Sequence, residues 1–201
     1  GIALTTTPDH EFFVIDAGSV VRREARSLQA GDAAMIMVGQ NLHGNTMAVP
    51  DLEVEARTSF KNIEIPTVLT ESLARFLGYF VAEGNARWNG SAGSYSVQVG
   101  FGLPEDPDVV QDFERTFTDL IGDRVFKTIS EKAVHFAVSS KKLALWLKML
   151  GCGWRSGEKA IPGLIRAAPW EMKREFLRAY FEGDGTVKQG GVSVTSKSER
   201  L

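Results

Sequence analysis

The pattern of apolar and polar positions changes character near residue 68. Before it, "EFFVID", "SVVRRE" and "AAMIMVG" are short runs of β-branched, aromatic and other apolar residues, separated by Gly, Asp and Gln. "LQAGD", from Leu28 to Asp32, is typical of a turn between two strands. Residues 1–68 therefore predict an all-β unit, in which the polar stretch 41–66 is a linker or a loop-rich sheet edge.

After Pro66 the apolar positions follow a helical period. Thr70 is suited to an N-cap and Glu71 to the first turn. The apolar residues that share one helical stripe are Leu73, Phe76, Leu77, Phe80 and Val81. This helix is followed by two strand-like runs, "NARWNG" and "SYSVQVGF", and by a helix, "PDVVQDFERTFTDLIG". A hairpin of "RVFKTIS" with "AVHFAVS" and a helix over 140–150 come next. The predicted order is α-β-β-α-β-β-α.

The same order then restarts. "KAIPGLIRAAPWEMKREFLRAYFEGDG" predicts a second long helix, and "TVKQGGVSVTSK" predicts a hairpin with a turn at Gly190-Gly191. Aligned at an offset of 101, "FLGYFVAEGN" (Phe76–Asn85) matches "LRAYFEGDGT" (Leu177–Thr186). The chain therefore contains an internal repeat whose second copy starts near residue 162 and is incomplete at Leu201. We predict an α+β domain over 69–201.

Each of the two repeated helices delivers a carboxylate to its own C-terminal end. Gly78 and Ala82 share one face of the first helix, because they lie four residues apart, and Ala179 and Gly183 do the same in the second. Small residues at this spacing let two helices approach closely. If these faces pack together, Glu83 and Asp184 become neighbours.

Two carboxylates at helix C-termini are electrostatically unfavourable by themselves. Each faces the negative end of a helix dipole, and each repels the other. A divalent cation removes both problems, and oxygen ligands favour Mg²⁺, Mn²⁺ or Ca²⁺ over zinc. With phosphate oxygens completing the coordination shell, Glu83 and Asp184 are candidate metal ligands for phosphodiester hydrolysis.

Polar residues alternate along the strands that follow each acid. In the first copy they are Asn85, Arg87, Asn89, Ser94, Ser96 and Gln98. In the second copy they are Thr186, Lys188, Ser193, Thr195 and Lys197. Period-two alternation predicts a sheet with one packed face and one solvated face. These side chains hold phosphates and hydrogen-bond to base edges, so we predict that they bind double-stranded DNA.

Composition and charge fit this prediction. Residues 124–178 contain 12 Lys or Arg and 4 Asp or Glu, a net charge of +8, whereas residues 1–123 contain 8 and 18, a net charge of −10. A basic segment suits a polyanionic partner. With one cysteine, Cys152, the chain cannot form an internal disulfide. We also see no membrane span and no signal peptide, and so expect an intracellular, cytoplasmic protein with no membrane partner.

The two acid-bearing motifs resemble those of LAGLIDADG homing endonucleases of the dodecapeptide (DOD) type. "EKAIP", from Glu158 to Pro162, is similar to the lysine-containing block between the two motifs in inteins. "TPDH", from Thr7 to His10, resembles the TxxH block of the intein splicing domain, and "SLQAGD" resembles the turn that follows it. The chain is thus identified as intein-like over nearly its whole length.

The resemblance implies two domains and a role for individual residues. Residues 1–68 would be part of an all-β Hint-type splicing domain, and 69–201 an α+β endonuclease domain that cuts a long site, the intein-free host gene, with Mg²⁺ or Mn²⁺. Glu83 and Asp184 would be catalytic metal ligands, and Lys159 would assist the site. His10 would promote the acyl shift at the upstream splice junction, with help from Thr7. The exteins of the host precursor would be further partners.

The sequence also departs from the intein pattern. Gly1 is not the Cys, Ser or Thr nucleophile that splicing needs, and the final splicing blocks are absent, so we expect an internal piece of an intein that does not splice or undergo autocatalytic cleavage by itself. Two alternatives to a nuclease stay open. One is a LAGLIDADG-like module that binds DNA without cutting it. The other is an intein whose nuclease has decayed, so that only splicing matters.

Overall fold

The computed structural model describes residues 4–35, 43–54, 63–103, 106–122, 125–189 and 191–201. The chain divides into two compact units, Gly1–Leu42 and His43–Leu201. No helix within the described ranges is long and apolar enough to cross a membrane.

The first unit is a small antiparallel sheet. It contains β1 (Glu11–Asp16), β2 (Ser19–Glu24) and β3 (Ala33–Ala34) in the order β2-β1-β3, with a 3₁₀ turn at Ala25–Ser27. The first two predicted strands are therefore confirmed. The third is short where it is described, and residues 36–39 of the predicted run lie outside the described residues. The predicted turn forms through the Asp32 amide, which donates to the Gln29 carbonyl at 3.1 Å.

The second unit follows the predicted α-β-β-α-β-β-α order. Its first part comprises α1 (Glu71–Glu83), β4 (Gly84–Asn89), β5 (Ser94–Gly102), α2 (Pro107–Ile121), β6 (Phe126–Ile129), β7 (Ala133–Val138) and α3 (Lys141–Met149). The second part comprises a 3₁₀ turn (Ser156–Glu158), a short helix α4 (Gly163–Arg166), α5 (Trp170–Asp184), β8 (Gly185–Lys188) and β9 (Gly191–Val194). The α+β prediction and the restart of the element order are confirmed.

Side-chain caps fix where the helices of the first repeat begin. The hydroxyl of Thr70 accepts from the Leu73 amide at 3.1 Å, and a carboxylate oxygen of Asp106 accepts from the Asp108 amide at 2.9 Å. These bonds satisfy amides that have no partner within a helix. Gly122, at φ +71°, ends α2 in a conformation that favours glycine.

The core lies on one face of the antiparallel sheet β4-β5-β7-β6. The residues that β4, β5 and β7 bury on this face are Ala86, Val97, Val99, Phe101, Val134, Phe136 and Val138. The ring of Phe113 in α2 packs at an angle against those of Phe101, Phe117 and Phe136, with ring centroids 5.1–5.3 Å apart. The opposite sheet face keeps its polar residues in solvent, as the period-two alternation predicts.

The segment that precedes α1 packs into the second unit. The Leu69 amide donates to the Met47 carbonyl at 2.7 Å, and the Val49 amide donates to the Thr67 carbonyl at 2.9 Å. The indole of Trp146 in α3 donates to the Pro50 carbonyl at 2.9 Å. The compact units thus divide at residue 42, whereas the boundary at 68 between splicing and endonuclease domains stays a prediction.

Candidate active site

Two glycines bring α1 and α5 into close contact. A Cβ atom added to Gly78 of α1 would lie 2.3 Å from the Phe176 carbonyl oxygen and 2.9 Å from the Ala179 Cβ in α5. A Cβ added to Gly183 would lie 2.6 Å from the Ala82 Cβ. The small faces predicted from the sequence therefore pack on each other, and the contact leaves no space for a larger residue at either glycine.

Replacement of Gly78 by alanine is expected to lower the free energy of unfolding by roughly 1–3 kcal/mol, because the methyl group forces α1 away from the α5 backbone. The measurement is urea unfolding followed by circular dichroism. Gly163→Ala is the matched control, since a Cβ at Gly163 meets nothing within 4 Å. Equal midpoints for the two variants would contradict the close contact.

The two acids occupy matching positions at the ends of these helices. Glu83 is the last residue of α1 and Asp184 is the last residue of α5. A Cβ on Gly183, the neighbour of Asp184, would lie 3.1 Å from the Glu83 Cγ. Both carboxylates are partly exposed. The structure therefore places the two predicted acids beside one another at an accessible helix end.

Burial raises the pKa of Asp184, and the nearby Lys159 partly offsets that rise. The charged form is thus disfavoured at this position in the absence of a cation. An ionised carboxylate at this position lowers the stability of the metal-free protein, so its placement favours a role in binding.

Lys159 is the buried cation of this site. Its side chain is 2% exposed, and Nζ donates to the Phe80 carbonyl at 2.7 Å and lies 3.7 Å from the centre of the Phe80 ring. The same carbonyl accepts the amide of Gly84 that ends α1. Burial lowers the pKa of Lys159 to about 8, while Cys152, Asp184 and Glu158 act in the opposite direction. The predicted lysine therefore stabilises the carbonyl end of α1, close enough to Asp184 for their charges to interact.

The chemistry of the acid pair fits a hard divalent cation. Within the described ranges, no group of three or more His, Cys, Asp or Glu residues could hold a metal ion. Glu83 and Asp184 would therefore supply only part of an oxygen shell, and the rest must come from substrate phosphate and water. That is the usual situation for Mg²⁺ at sites that act on phosphates.

Cys152 lies beside the lysine and is fully buried. Burial raises the pKa of its thiol to about 12. We expect thiol labelling of the native protein at pH 8 to be about a thousandfold slower than that of an exposed cysteine, because the thiolate is the reactive form. Ellman's reagent measures this rate, and protein in urea is the control. Fast labelling of the native protein would contradict the described burial.

The register of the first hairpin places the predicted DNA-binding residues on one face. Asn85 pairs with Gln98, Arg87 with Ser96, and Asn89 with Ser94. These six residues lie opposite the buried face and are exposed or partly exposed. Whether they contact DNA stays a prediction.

His135 also lies on this polar face, which the sequence did not predict. His135 pairs with Gly100 and Thr128 across the sheet. A Cβ on Gly100 would lie 2.3 Å from the His135 Nδ1, so the imidazole lies across the glycine. Among the described residues this nitrogen has no hydrogen-bond partner. The alternation in "AVHFAV" is the signal that would have placed it here.

The second hairpin is shorter than predicted. Thr186 pairs with Ser193, and Lys188 is in register with Gly191. Strand β9 ends at Val194, so the extension of the strand face to Thr195 and Lys197 is wrong: both follow the strand in irregular backbone. Gly190 of the predicted turn lies outside the described residues.

The predicted splicing residues form a turn in the first unit. The His10 amide donates to the Thr7 carbonyl at 3.1 Å, which closes the "TPDH" segment. The His10 carbonyl accepts from the Ala25 amide at 2.7 Å, and its imidazole lies 5.1 Å from the Phe12 ring. Both Thr7 and His10 are exposed. Their part in splicing stays a prediction.

A buried ionic network between the helices escaped sequence reasoning. Arg75 of α1 donates to Glu175 of α5 at 2.7 Å and to Asp112 of α2 at 3.0 Å. Tyr79 donates to the other oxygen of Asp112 at 3.0 Å. Burial, and then the Asp112 charge, raise the pKa of Tyr79. These three helices come together only in the tertiary structure, and periodicity gave no sign of the contact.

A known family matches the last described part of this sequence. Residues 171–201, which hold the second acid and the residues after it, match the LAGLIDADG-like domain family. The resemblance predicted from the two acid-bearing helices is therefore confirmed for this part of the chain.

Curated relatives occur among archaeal replication proteins. The chain is 36% identical over 135 residues to a DNA polymerase of Thermococcus kodakarensis, which covers 65% of this chain and 8% of that protein. It is 35% identical over 127 residues to the DNA polymerase II large subunit of the same organism, 63% of this chain and 7% of that one. It is 29% identical over 143 residues to the replication factor C small subunit of that organism, a match that covers 68% of this chain and 15% of that protein. The chain thus spans less than a tenth of the polymerases that it matches.

Among solved structures, the homing endonuclease I-DmoI in complex with DNA and Ca is 14% identical. The match covers 62% of each chain at a TM-score of 0.43.

Proposed function

We propose that the second unit is a metal-dependent, site-specific endonuclease for double-stranded DNA. The observation that supports this most strongly is the pair of acids, Glu83 and Asp184, at the ends of two helices that pack through glycine. The match to the LAGLIDADG-like domain over residues 171–201 includes one of these acids, Asp184. Burial disfavours the charged form of Asp184 in the absence of a cation, which supports a metal-binding role.

Each residue of the site has a distinct task in this proposal. Glu83 and Asp184 would hold Mg²⁺ or Mn²⁺ through their carboxylate oxygens. The metal, when bound, lowers the pKa of water and stabilises charge on the leaving oxygen. Lys159 adds positive charge beside Asp184, which favours the negative charge that develops at phosphorus in the transition state.

The polar sheet face supplies DNA binding in the same proposal. Asn85, Arg87, Asn89, Ser94, Ser96 and Gln98 project from one face of β4 and β5. The Arg87 guanidinium can donate to a phosphate or to the edge of guanine, and the side-chain amides of Asn85, Asn89 and Gln98 can pair with the edge of adenine. His135 and Thr128 extend this face across β7 and β6. Thr186 and Ser193 begin the equivalent face in the second repeat.

We further propose that the nuclease is carried by an intein. Three differently named proteins of one organism each match a segment of similar length in this chain, yet the matched segment makes up at most 15% of each of those proteins. A segment common to a polymerase and a replication factor is better explained by an inserted element than by a shared replication activity. In the complete intein, the first unit is part of a Hint-type splicing domain, His10 and Thr7 act at the upstream junction, and the exteins are the attached partners.

The test is a two-step selection. Duplexes that the protein binds are recovered from a randomised library in EDTA, and the bound DNA is then exposed to Mg²⁺ or Mn²⁺. We expect double-strand breaks at one position of the selected sequence only after metal is added. Binding without breaks would favour the non-cleaving module. Neither binding nor breaks, together with loss of splicing in a His10→Ala full-length precursor, would favour an intein with a decayed nuclease.

A further inference from the structure

The backbone of Lys159 is held by a buried hydroxyl from a distant segment. Ser198 is 5% exposed, and its Oγ donates to the Lys159 carbonyl at 2.6 Å. Oγ also accepts from the Arg200 amide at 3.2 Å, so the hydroxyl is used both as donor and as acceptor. From this geometry we propose that Ser198 is a positioning residue that sets the place of the Lys159 amine in the active site. Its catalytic meaning rests on the proposed nuclease function.

Lys159 needs such support because no helix or strand contains it. It lies between the 3₁₀ turn Ser156–Glu158 and α4. On one side the backbone is limited by Gly153, at φ +72°, where a Cβ would lie 2.2 Å from the Glu158 carbonyl oxygen and 2.9 Å from the Lys159 nitrogen. The Trp154 amide donates to the Glu158 carboxylate at 3.2 Å. Ser198 supplies a further anchor, from a different part of the chain.

The two ends of the lysine are thereby fixed independently. The amine is held at α1 by the Phe80 carbonyl, and the backbone is held by Ser198. A lysine stem is flexible, so the amine keeps one position only if its backbone is also fixed. The residues around a charged catalytic group commonly determine its geometry in this way.

Ser198 also links the lysine to the second repeat. It follows β9 and therefore lies downstream of Asp184, beyond the hairpin that carries Thr186 and Ser193. The Ser198 amide donates to the Ser196 hydroxyl at 3.0 Å, which continues the anchored segment toward that hairpin. A displacement of this segment would reach Lys159 through a single hydrogen bond.

The first arm of the test reads the position of the amine and needs no activity. Because Nζ lies 3.7 Å from the centre of the Phe80 ring, we expect the ring current to shift the NMR signal of the adjoining ε-methylene protons of Lys159 upfield. Lysine-selective ¹³C labelling resolves this signal, and Lys159→Met identifies it by its loss. We expect Ser198→Ala to move the signal toward the value of an exposed lysine, and Ser198→Thr, which keeps a hydroxyl, to restore it.

Ser130→Ala is the matched control. The Ser130 hydroxyl also donates to a backbone carbonyl, that of Ala133 at 3.0 Å, but it is exposed in the β6–β7 turn. It should leave the Lys159 signal unchanged. If Ser198→Ala does not fold, Ser198→Cys takes its place, because a thiol is a weaker donor of similar size.

The second arm measures single-turnover cleavage at saturating DNA. We expect Ser198→Ala to lower the rate roughly tenfold, as loss of a supporting hydrogen bond commonly does, with an unchanged dissociation constant for DNA and recovery in Ser198→Thr. An unshifted Lys159 signal in Ser198→Ala, or a threonine variant that behaves like alanine, would overturn the proposal. A wild-type protein that cleaves no DNA would refute the nuclease function instead, and the NMR arm would still decide the role of Ser198.

Discussion

Replacement of Asp184 by asparagine is expected to lower the DNA cleavage rate at least about a hundredfold, the scale of losing one preorganised electrostatic contributor at a reacting phosphate. Asparagine keeps the shape of the side chain but removes half of the charge that Glu83 and Asp184 present to a cation. DNA affinity measured in EDTA should change little, because the polar sheet face is untouched. Glu83→Gln is expected to behave in the same way.

The same substitution should raise the thermal stability of the metal-free protein. Burial raises the pKa of Asp184, so the free-energy advantage of its protonated form is present at low pH and is lost as pH rises through that folded-state pKa. At neutral pH the ionised carboxylate therefore opposes folding, and asparagine removes this effect. The stability gain of Asp184→Asn over wild type should shrink as the pH is lowered toward 4.

Asp119→Asn is the control for both measurements. Asp119 is an exposed acid in the last turn of α2, so it shares the helix position without the partial burial of Asp184. It should alter neither the cleavage rate nor the pH dependence of the melting temperature. Full cleavage activity in Asp184→Asn would remove Asp184 from the metal site.

Replacement of Arg75 by methionine is expected to cost roughly 3–5 kcal/mol of unfolding free energy. Methionine keeps most of the side-chain volume but leaves the carboxylates of Asp112 and Glu175 without their shared cation. Their side chains are only 10% and 7% exposed, so water cannot replace the lost partner. Chemical unfolding monitored by fluorescence measures the change.

Arg115→Met provides a sharp comparison. Arg115 donates to the same oxygen of Asp112 at 3.1 Å, but its side chain is 68% exposed. An exposed ion pair contributes at most about 1 kcal/mol. Adding Glu175→Gln to Arg75→Met should recover part of the loss, because one buried charge is removed. Equal effects of the two arginine substitutions would show that burial does not set the strength of this network.

The α+β unit and its repeat were predictable because each depends on local patterns. A 3.6-residue apolar period, a capping Thr70 and period-two strands are encoded in short windows of sequence. The paired acids were predictable for a related reason: both helices carry small residues one turn apart and end on a carboxylate. Because the two copies match, the contact between their helices could be predicted although the helices lie far apart in the chain.

Other features depended on contacts between residues far apart in the chain. The end of β9 at Val194 was set by its pairing with the short β8, so the alternation that continued to Thr195 was misleading. Backbone hydrogen bonds and the Trp146 indole join residues 43–54 and 63–70 to the second unit. The periodicity of apolar residues does not predict such contacts.

The sequence by itself determined most of the helices and strands and the repeat, and it predicted which residues could serve as metal ligands. Only the tertiary structure decided that Arg75 neutralises two acids from different helices, that His135 lies across Gly100 and that Ser198 holds Lys159. The physical reason is that local preferences act within a few residues, whereas burial and hydrogen bonding are settled between segments that meet only when the core closes.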